Sequence, residues 1–312
     1  MSVVSETVRN YVTGRVAQER LSIARDSLGI ADDNLEIAGF RVLAGLVSAV
    51  DQEQARTQRA QRLATIPPLA AQIAQAANRL GVLTGRAPSA LTGVFAEPAP
   101  IPTPPSAIAV GVPADTLRQR PDVAAAERRL ASASARVGVA RAQLYPALRI
   151  TGSLNSQSTG LGSLLDRVTY GLFGGLTQTL FDGGRLRSQV RAQEAATEGA
   201  FADYRRTILS ALEDVENALV ALDSAELRVA AQAEGLDAAQ ATAIYARSNY
   251  RAGLTDFTTL LTVENNLLNA RDWLALARGD RALATVQLYN ALGGGFGTTS
   301  IATPARQDSP TP

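Results

Sequence analysis

The longest helical pattern in the sequence runs without a proline from about Leu186 to Arg251. Its apolar residues recur at alternating steps of three and four, the heptad spacing of a left-handed coiled coil, with Glu226 and Ala233 at the two remaining positions. The apolar members are Ile208, Leu212, Val215, Leu219, Leu222, Val229 and Leu236. A helix of roughly 66 residues is about 100 Å long. A rod of this length needs other helices along its side to bury the apolar seam.

A second helical run follows directly and provides such a partner. The same alternating spacing continues over about 256–292, in Leu260, Val263, Leu267, Ala270, Leu274, Ala277, Ala284, Leu288 and Ala291. Gly253 can adopt the left-handed conformation that ends the first helix, and Thr255 or Asp256 can cap the second. The two runs therefore predict one long antiparallel helical hairpin over 186–251 and 256–292.

An earlier pair of helices, over about 3–44 and 50–83, predicts that this hairpin is duplicated. A shift of 208 positions places Gly45 on Gly253 and Gly85 on Gly293 without a gap. Such agreement at both turns and at both helix ends favours an internal repeat over chance. The turn of the earlier pair consists of Gly45, Leu46, Val47 and Ser48.

Prolines divide the first half of the chain. Pro67 and Pro68 lie inside the second helix, where they predict a break or kink near Ile66. Residues 87–121 are rich in proline, which predicts an extended linker. A helix over about 122–145 follows, and Pro146 ends it.

After Pro146 the spacing of apolar residues changes to that of a strand. Over about 147–156, apolar Leu148, Ile150 and Leu154 alternate with polar residues. A second strand is predicted near 171–181, with Leu172, Gly174, Leu176 and Leu180 on one side. Two strands alone are not stable in water. The hairpin is therefore either a small cap on the helix ends or one part of a transmembrane barrel built by several chains.

The composition argues against catalysis. The chain has no cysteine and no histidine, which excludes disulfides, thiolate nucleophiles and the commonest metal ligands. A net charge of +1 gives no reason to expect nucleic acid or an acidic substrate. No run of about 18 apolar residues is present, and the residues after Met1 have neither the basic region nor the apolar core of a signal peptide. We therefore predict a protein that is not an enzyme and that has no catalytic residue, cofactor or metal.

Two motifs stand out in the sequence. The first runs from Leu117 to Val123 and continues through Ala126-Glu127, Gly138, Ala140-Arg141-Ala142 and Pro146. The second runs from Leu288 to Phe296. The first resembles the signature of the TolC-type outer-membrane efflux channels of the NodT/OprM lineage, and the second is similar to the end of the last helix of that family. The resemblance covers nearly the whole chain.

The resemblance implies a mainly α fold in which long coiled-coil hairpins form an α-barrel and the strand hairpin contributes to a trimeric transmembrane β-barrel. It divides the chain into a first-repeat periplasmic hairpin over 1–86, an equatorial linker over 87–121, and second-repeat helices over 122–146 and 186–292. The membrane hairpin then occupies 147–185, and residues 293–312 form a flexible tail. Function, by resemblance, is that of a passive exit duct in the outer membrane. Its partners would be two further copies of the chain, a periplasmic adaptor, an inner-membrane transporter of the RND class and outer-membrane lipid.

The resemblance also implies roles for individual residues. The interhelical turns would face the adaptor through Gly45, Leu46, Val47, Ser48, Gly253, Leu254, Thr255 and Asp256. The periplasmic gate would use Thr262, where relatives often have an acidic residue, and Thr258, which lies one turn earlier on the same face. Asp51 of the first repeat would supply the acidic element instead. Leu148, Ile150 and Leu154 would face lipid.

Family members usually begin with a signal peptide, often with a lipidated cysteine, and a first strand hairpin, and the chain as given starts after these. Three such chains would supply about six strands, fewer than the eight of the smallest common barrels. The expectation is that this chain, expressed alone, forms a helical oligomer or an aggregate and does not conduct. The alternative function is a periplasmic coiled-coil adaptor or scaffold without a pore.

Overall fold

The computed structural model describes residues 2–104, 120–156 and 168–294. The helices are α1 (Ser2–Leu43), α2 (Ala49–Leu83), α3 (Pro121–Ala142), α4 (Arg185–Arg251) and α5 (Phe257–Ala291), with a short 3-10 helix at Pro88–Phe95. Two strands, β1 (Ala147–Ser156) and β2 (Val168–Thr177), lie between α3 and α4. The chain forms two compact units, one comprising 1–113 and 213–312 and the other 114–212. The predicted fold class, mainly helical with one strand hairpin, is confirmed.

The helix ends confirm the predicted repeat. Helices α2 and α5 each contain 35 residues, and both ends of α5 lie 208 positions after those of α2. The ends of α1 and α4, Leu43 and Arg251, are separated by the same interval. The chain therefore contains the same helical hairpin twice in register, as the turn glycines predicted.

Helix α2 passes through Pro67 and Pro68 without a break, so of the two predicted alternatives near Ile66 the break is wrong. The two prolines and the residues one turn before them are exposed, which leaves water to solvate the carbonyl groups that lack an N–H partner. Directly after the prolines, Leu69 packs against Leu21 and Ala24 of α1. Packing on α1 thus holds both halves of α2 in one helix.

The linker predicted to be extended contains the 3-10 helix, because two contacts with α1 hold that segment. Phe95 packs against Ala76, Ala77 and Leu80 of α2, and its ring stacks on Tyr11 of α1 at 6.0 Å. Arg15, only 7% exposed, donates to the carbonyl oxygens of Val94 and Glu97 at 3.1 and 2.9 Å. The proline pattern alone did not reveal these partners. Residues 105–119 of the linker lie outside the described part of the chain.

Helices α1 and α5 approach each other closely. A methyl group placed on Gly279 of α5 would lie 2.4 Å from Val16 Cγ2 of α1. Nearby, Val12 of α1 is buried with Ala282 of α5 and Ile101. Small residues at the contact therefore set the spacing of these two helices.

The apolar seam of α5 is buried as predicted, apart from Val263, which is partly exposed. The seam of α4 differs from the prediction. Val215 is buried, but the positions that alternate with it are Ala218 and Ala225, whereas Leu212 is 38% exposed. Alanine allows closer helix contact than leucine, so the buried side of α4 includes its alanines and leaves Leu212 on the flank.

In the second unit, α3 ends three residues earlier than predicted and is joined to α4 by an ion pair. Arg141 Nη2 lies 2.6 Å from Glu194 Oε1. At the start of α3, Arg120 pairs with Asp122 at 2.7 Å, and this hydrogen bond is the main cause of a lowered pKa for Asp122.

Strands β1 and β2 pair antiparallel from Ala147↔Thr177 to Ser156↔Val168. The predicted bounds 171–181 for β2 are therefore wrong by three or four residues, and Leu180 lies outside the strand. The cause is the partner strand: β1 begins only at Ala147, directly after Pro146, so β2 has no strand to pair with beyond Thr177. The hairpin loop, 157–167, is outside the described residues.

Within the described ranges, no helix combines the length and apolar character that a membrane crossing requires. Part of each family motif also falls outside these ranges, namely residues 117–119 and 295–296, as does the predicted tail from residue 295 onward.

Candidate functional site: two helical turns and a strand hairpin

The two interhelical turns have the same backbone geometry. Gly45 and Gly253 end their helices with φ of 69° and 72°, in the left-handed region that glycine adopts without strain. The next N–H in each turn, of Leu46 and Leu254, donates back to a helix carbonyl at 2.9 and 2.8 Å. A left-handed glycine followed by such a backbone hydrogen bond is typical of the Schellman motif, which satisfies the last carbonyl groups of a helix.

Each turn ends in a residue that caps the following helix. The Ser48 hydroxyl accepts from the Val50 N–H at 3.1 Å, and the Asp256 carboxylate accepts from the Thr259 N–H at 2.6 Å. The bond from Thr259 is the largest cause of a lowered pKa for Asp256. Of the two predicted caps for α5, the structure thus selects Asp256 over Thr255.

The turns expose apolar side chains. Leu46 and Leu254, at equivalent positions, are 70% and 77% exposed. Leu43 and Val50 flank the first turn and are also exposed. Several exposed apolar side chains grouped at neighbouring turns make a candidate surface for binding another protein.

Beneath the turns, residues from four helices form one core, which we call the turn core: Ala38, Ala55, Ala246, Tyr250, Phe257 and Leu260. The rings of Tyr250 and Phe257 lie 5.7 Å apart, and the Arg41 guanidinium lies 4.5 Å from the centre of the Tyr250 ring. Burying each large apolar side chain contributes about 1.5–3 kcal/mol. The turn core therefore holds both turns in one rigid group.

An ion pair beside the turn core, between Arg247 and Glu264, was not predicted from the sequence. Arg247 of α4 binds Glu264 of α5 through two bonds of 2.5 and 2.8 Å, and the hydrogen bond to Glu264 raises the pKa of Arg247. Arg247 lies six residues before Gly253, whereas Glu264 lies eleven residues after it. Because these distances along the chain differ, equal spacing from the turn does not indicate the pair, and no local sequence pattern identifies it.

The predicted gate threonines lie in a groove between α2 and α5. Thr258 and Thr262 are exposed, and the Thr262 hydroxyl donates to the Thr258 carbonyl oxygen at 2.8 Å. The opposite wall of the groove is polar and includes Glu53, Gln54, Thr57 and Gln61. Asp51 lies in the first turn of α2, and the groove lining passes on either side of it, at Val50 and Glu53.

The strand hairpin has one apolar and one polar face. Leu148, Ile150 and Leu154 are 70%, 66% and 76% exposed. They lie opposite residues 176, 174 and 170, so the apolar face continues on β2 with Tyr170, Leu172 and Leu176. The other face of β1 carries Arg149, Thr151, Ser153 and Asn155. After β2, the Asp182 carboxylate accepts from the Gly184 and Leu186 N–H groups at 2.9 and 2.8 Å and starts α4.

Over the described ranges, no three acidic side chains come together as a possible metal site.

The pattern of a known protein family matches residues 112–294, which include the strand hairpin and both long helices of the second repeat. Its description is "Outer membrane efflux protein". The chain belongs to this family. The predicted resemblance is thus confirmed, and the family is one of outer-membrane transport proteins rather than enzymes.

Members of the outer membrane efflux protein family with known names resemble the chain over nearly all of its length. Nodulation protein T of Rhizobium leguminosarum bv. trifolii is 30% identical over 305 residues, which are 95% of this chain and 64% of the relative. The pyoverdine export outer membrane protein OpmQ of Pseudomonas putida is 32% identical and covers 95% of this chain and 63% of its own length.

A solved structure, the outer-membrane channel OprN, superimposes with a TM-score of 0.85 at 32% identity and covers 94% of this chain and 66% of its own. The chain therefore spans slightly less than two thirds of the length of these relatives.

Proposed function

We propose that the chain is a component of an outer-membrane exit duct for small molecules in a tripartite efflux system. The observation that carries the proposal is the two-faced strand hairpin, joined at both ends to helices in a member of an efflux family. In a closed barrel one sheet face meets lipid and the other meets water. The apolar face, with Leu148, Ile150 and Leu154, would then face lipid, and the polar face would line the lumen.

The duct would be a homotrimer that works with a periplasmic adaptor and an inner-membrane transporter of the RND class. The edges of the hairpin support assembly, because a lone pair of strands leaves backbone groups unpaired that lipid cannot satisfy. The turn surfaces support the adaptor: two equal turns expose Leu46 and Leu254 above a rigid turn core.

At the positions on α5, the gate would present hydroxyl groups rather than carboxylates. Thr258 and Thr262 lie one helical turn apart on α5, and both are exposed. If this side of α5 faces the axis of the tunnel, three chains would present uncharged rings at these positions. Asp51 lies in the first turn of α2, as Thr258 lies in the first turn of α5. It would supply the acidic element of the constriction.

The test uses the absence of cysteine from the chain, which allows clean single-cysteine labelling. Cysteine is introduced at Ile150, Thr151, Ser153 or Leu154 in the producing cells, and a water-soluble maleimide is added. We expect labelling at Thr151 and Ser153 that slows dye efflux, and protection at Ile150 and Leu154. A scaffold without a pore would instead label equally on both faces.

The adaptor contact is tested separately. A bifunctional cross-linker on cysteine at Leu46 or Leu254 should capture a periplasmic partner, whereas the same reagent on the exposed helical position Gly235 should not. Equal capture from all three positions would remove the turns as the docking surface.

A further inference from the structure

The polar face of the hairpin contains one aromatic residue, Phe173, and one charged residue, Arg149. Phe173 lies opposite Thr151, and Arg149 lies opposite Gly175. The two side chains are therefore diagonal neighbours on one face, a separation that long side chains bridge. Both are exposed, with Phe173 at 70%.

The glycines on this face leave a space between them. A methyl group on Gly171 would lie 3.1 Å from the ring of Phe173, so the ring leans toward Gly171. A methyl group on Gly175 would meet nothing within 4 Å. The surface above Gly175 is therefore open, with Phe173 on the same strand and Arg149 directly across.

The charge of Arg149 is not balanced on the hairpin. The described strand residues, 147–156 and 168–177, include no aspartate or glutamate, and no ion pair of Arg149 is found among the described residues. A guanidinium group binds a carboxylate through two parallel hydrogen bonds, and an aromatic ring stacks on a second ring.

We propose that Arg149, Phe173 and Gly175 form a binding site for small aromatic carboxylates passing along the polar face. The carboxylate pairs with Arg149, and the ring of the solute lies over Gly175 against Phe173. The inference rests on the proposed function for the position of this face in the lumen, and it adds a substrate class that the duct prefers.

Benzoate is the probe, with acetate as an anion without a ring and benzyl alcohol as a ring without charge. Ligand-observed NMR on the chain, purified in detergent from the membranes of its own cells, measures the affinity. We expect benzoate to bind more tightly than either control. Arg149→Gln and Phe173→Leu should each weaken benzoate binding about tenfold.

Two neighbouring glycines provide a matched control. Gly174 and Gly175 lie on opposite faces, neither has a positive φ, and both have open space above them. Gly175→Val should fill the site and weaken benzoate binding, while Gly174→Val should leave it unchanged. Tyr170→Leu, which removes an aromatic ring from the apolar face, should also have no effect.

Unchanged benzoate affinity in Arg149→Gln, or equal losses in the two glycine variants, would overturn the site. Cysteine labelling of the strand faces reports on the duct independently. Binding that depends on Arg149, combined with equal labelling of both faces, would keep the site and remove the duct. Selective labelling of the polar face, without benzoate binding that depends on Arg149, would keep the duct and remove the site.

Discussion

Arg20 of α1 and Asp272 of α5 form a two-point ion pair, with N···O distances of 2.6 and 3.0 Å, across 252 positions of sequence. The arginine at the equivalent position of the second repeat is Arg228 of α4. It pairs with Asp280, which also belongs to α5, at 2.9 Å. One arginine position in each repeat thus binds α5. The first pair is the less exposed of the two, with side chains 28% and 29% accessible.

The Arg20–Asp272 pair should contribute measurably to stability. We expect a coupling of about 1–2 kcal/mol between Arg20→Gln and Asp272→Asn, between the values for exposed and buried pairs. Urea unfolding followed by circular dichroism provides the four free energies of the double-mutant cycle. The exposed pair Arg206–Asp203 should show a coupling below about 0.5 kcal/mol. Equal couplings for the two pairs would contradict this prediction.

The close contact between α1 and α5 should not tolerate a methyl group. Gly279→Ala would overlap with Val16, and we expect a loss of about 1–3 kcal/mol in the free energy of unfolding. The second change Val16→Ala should restore part of the loss by removing the overlapping methyl groups. Additive effects of the two substitutions would show that the overlap is not the cause.

Replacing a turn glycine by alanine should change stability in the opposite direction to replacing a glycine in the interior of a helix. Ala at Gly45 or Gly253 must adopt a left-handed conformation, which costs about 1–2 kcal/mol. Gly235→Ala, inside α4 with open space around it, should instead stabilise the protein by about 0.5–1 kcal/mol. Thermal unfolding distinguishes the two signs, and stabilisation by Gly45→Ala would refute the turn geometry.

The cap at Asp256 should make the stability of α5 depend on pH. Hydrogen bonding to the Thr259 N–H lowers the pKa of Asp256 in the folded state, so the ionised cap stabilises above the ordinary aspartate pKa of about 3.9. This contribution is lost as the pH falls through the lowered folded pKa. Asp256→Asn retains an acceptor that does not titrate. The difference in unfolding free energy between wild type and variant should therefore shrink below about pH 4, and a constant difference would contradict the prediction.

The two faces of the hairpin should differ in their tolerance of charge. In the assembled membrane protein, Ile150→Arg or Leu154→Arg should cost roughly 2–4 kcal/mol near the midplane of the bilayer. Thr151→Arg and Ser153→Arg should cost little, because water solvates that face. Unfolding of the variants in lipid vesicles measures the difference. Equal costs on both faces would argue against a membrane barrel.

The helices were predictable because their apolar residues recur at heptad spacing over many turns, and the repeat was predictable because its glycines recur at one fixed interval. The bounds of α1, α2, α4 and α5 lie within one residue of those predicted, and the glycine interval identified both turns. The register of the strands was less predictable, since the end of β2 depends on where β1 begins. The partner strand sets the end of β2, and the local sequence pattern around Leu180 gives no information about it.

Contacts across long sequence distances could not be predicted from local patterns. The continuity of α2 through Pro67 depends on Leu69 meeting α1, and the 3-10 helix depends on Phe95 and Arg15. The buried side of α4 was misassigned for a similar reason. Leucine and alanine both fit a heptad, so the local pattern does not distinguish Ala218, which is fully buried, from Leu212, which is 38% exposed.

The equal lengths of α2 and α5 limit how the chain can change during evolution. Each helix has 35 residues, which is a whole number of heptads. Losing one heptad from a single hairpin would move its turn by about 10 Å relative to the other. Removing any number that is not a multiple of seven would also rotate the apolar seam away from its partner. Viable length variants should therefore carry matched insertions or deletions of seven residues in both hairpins.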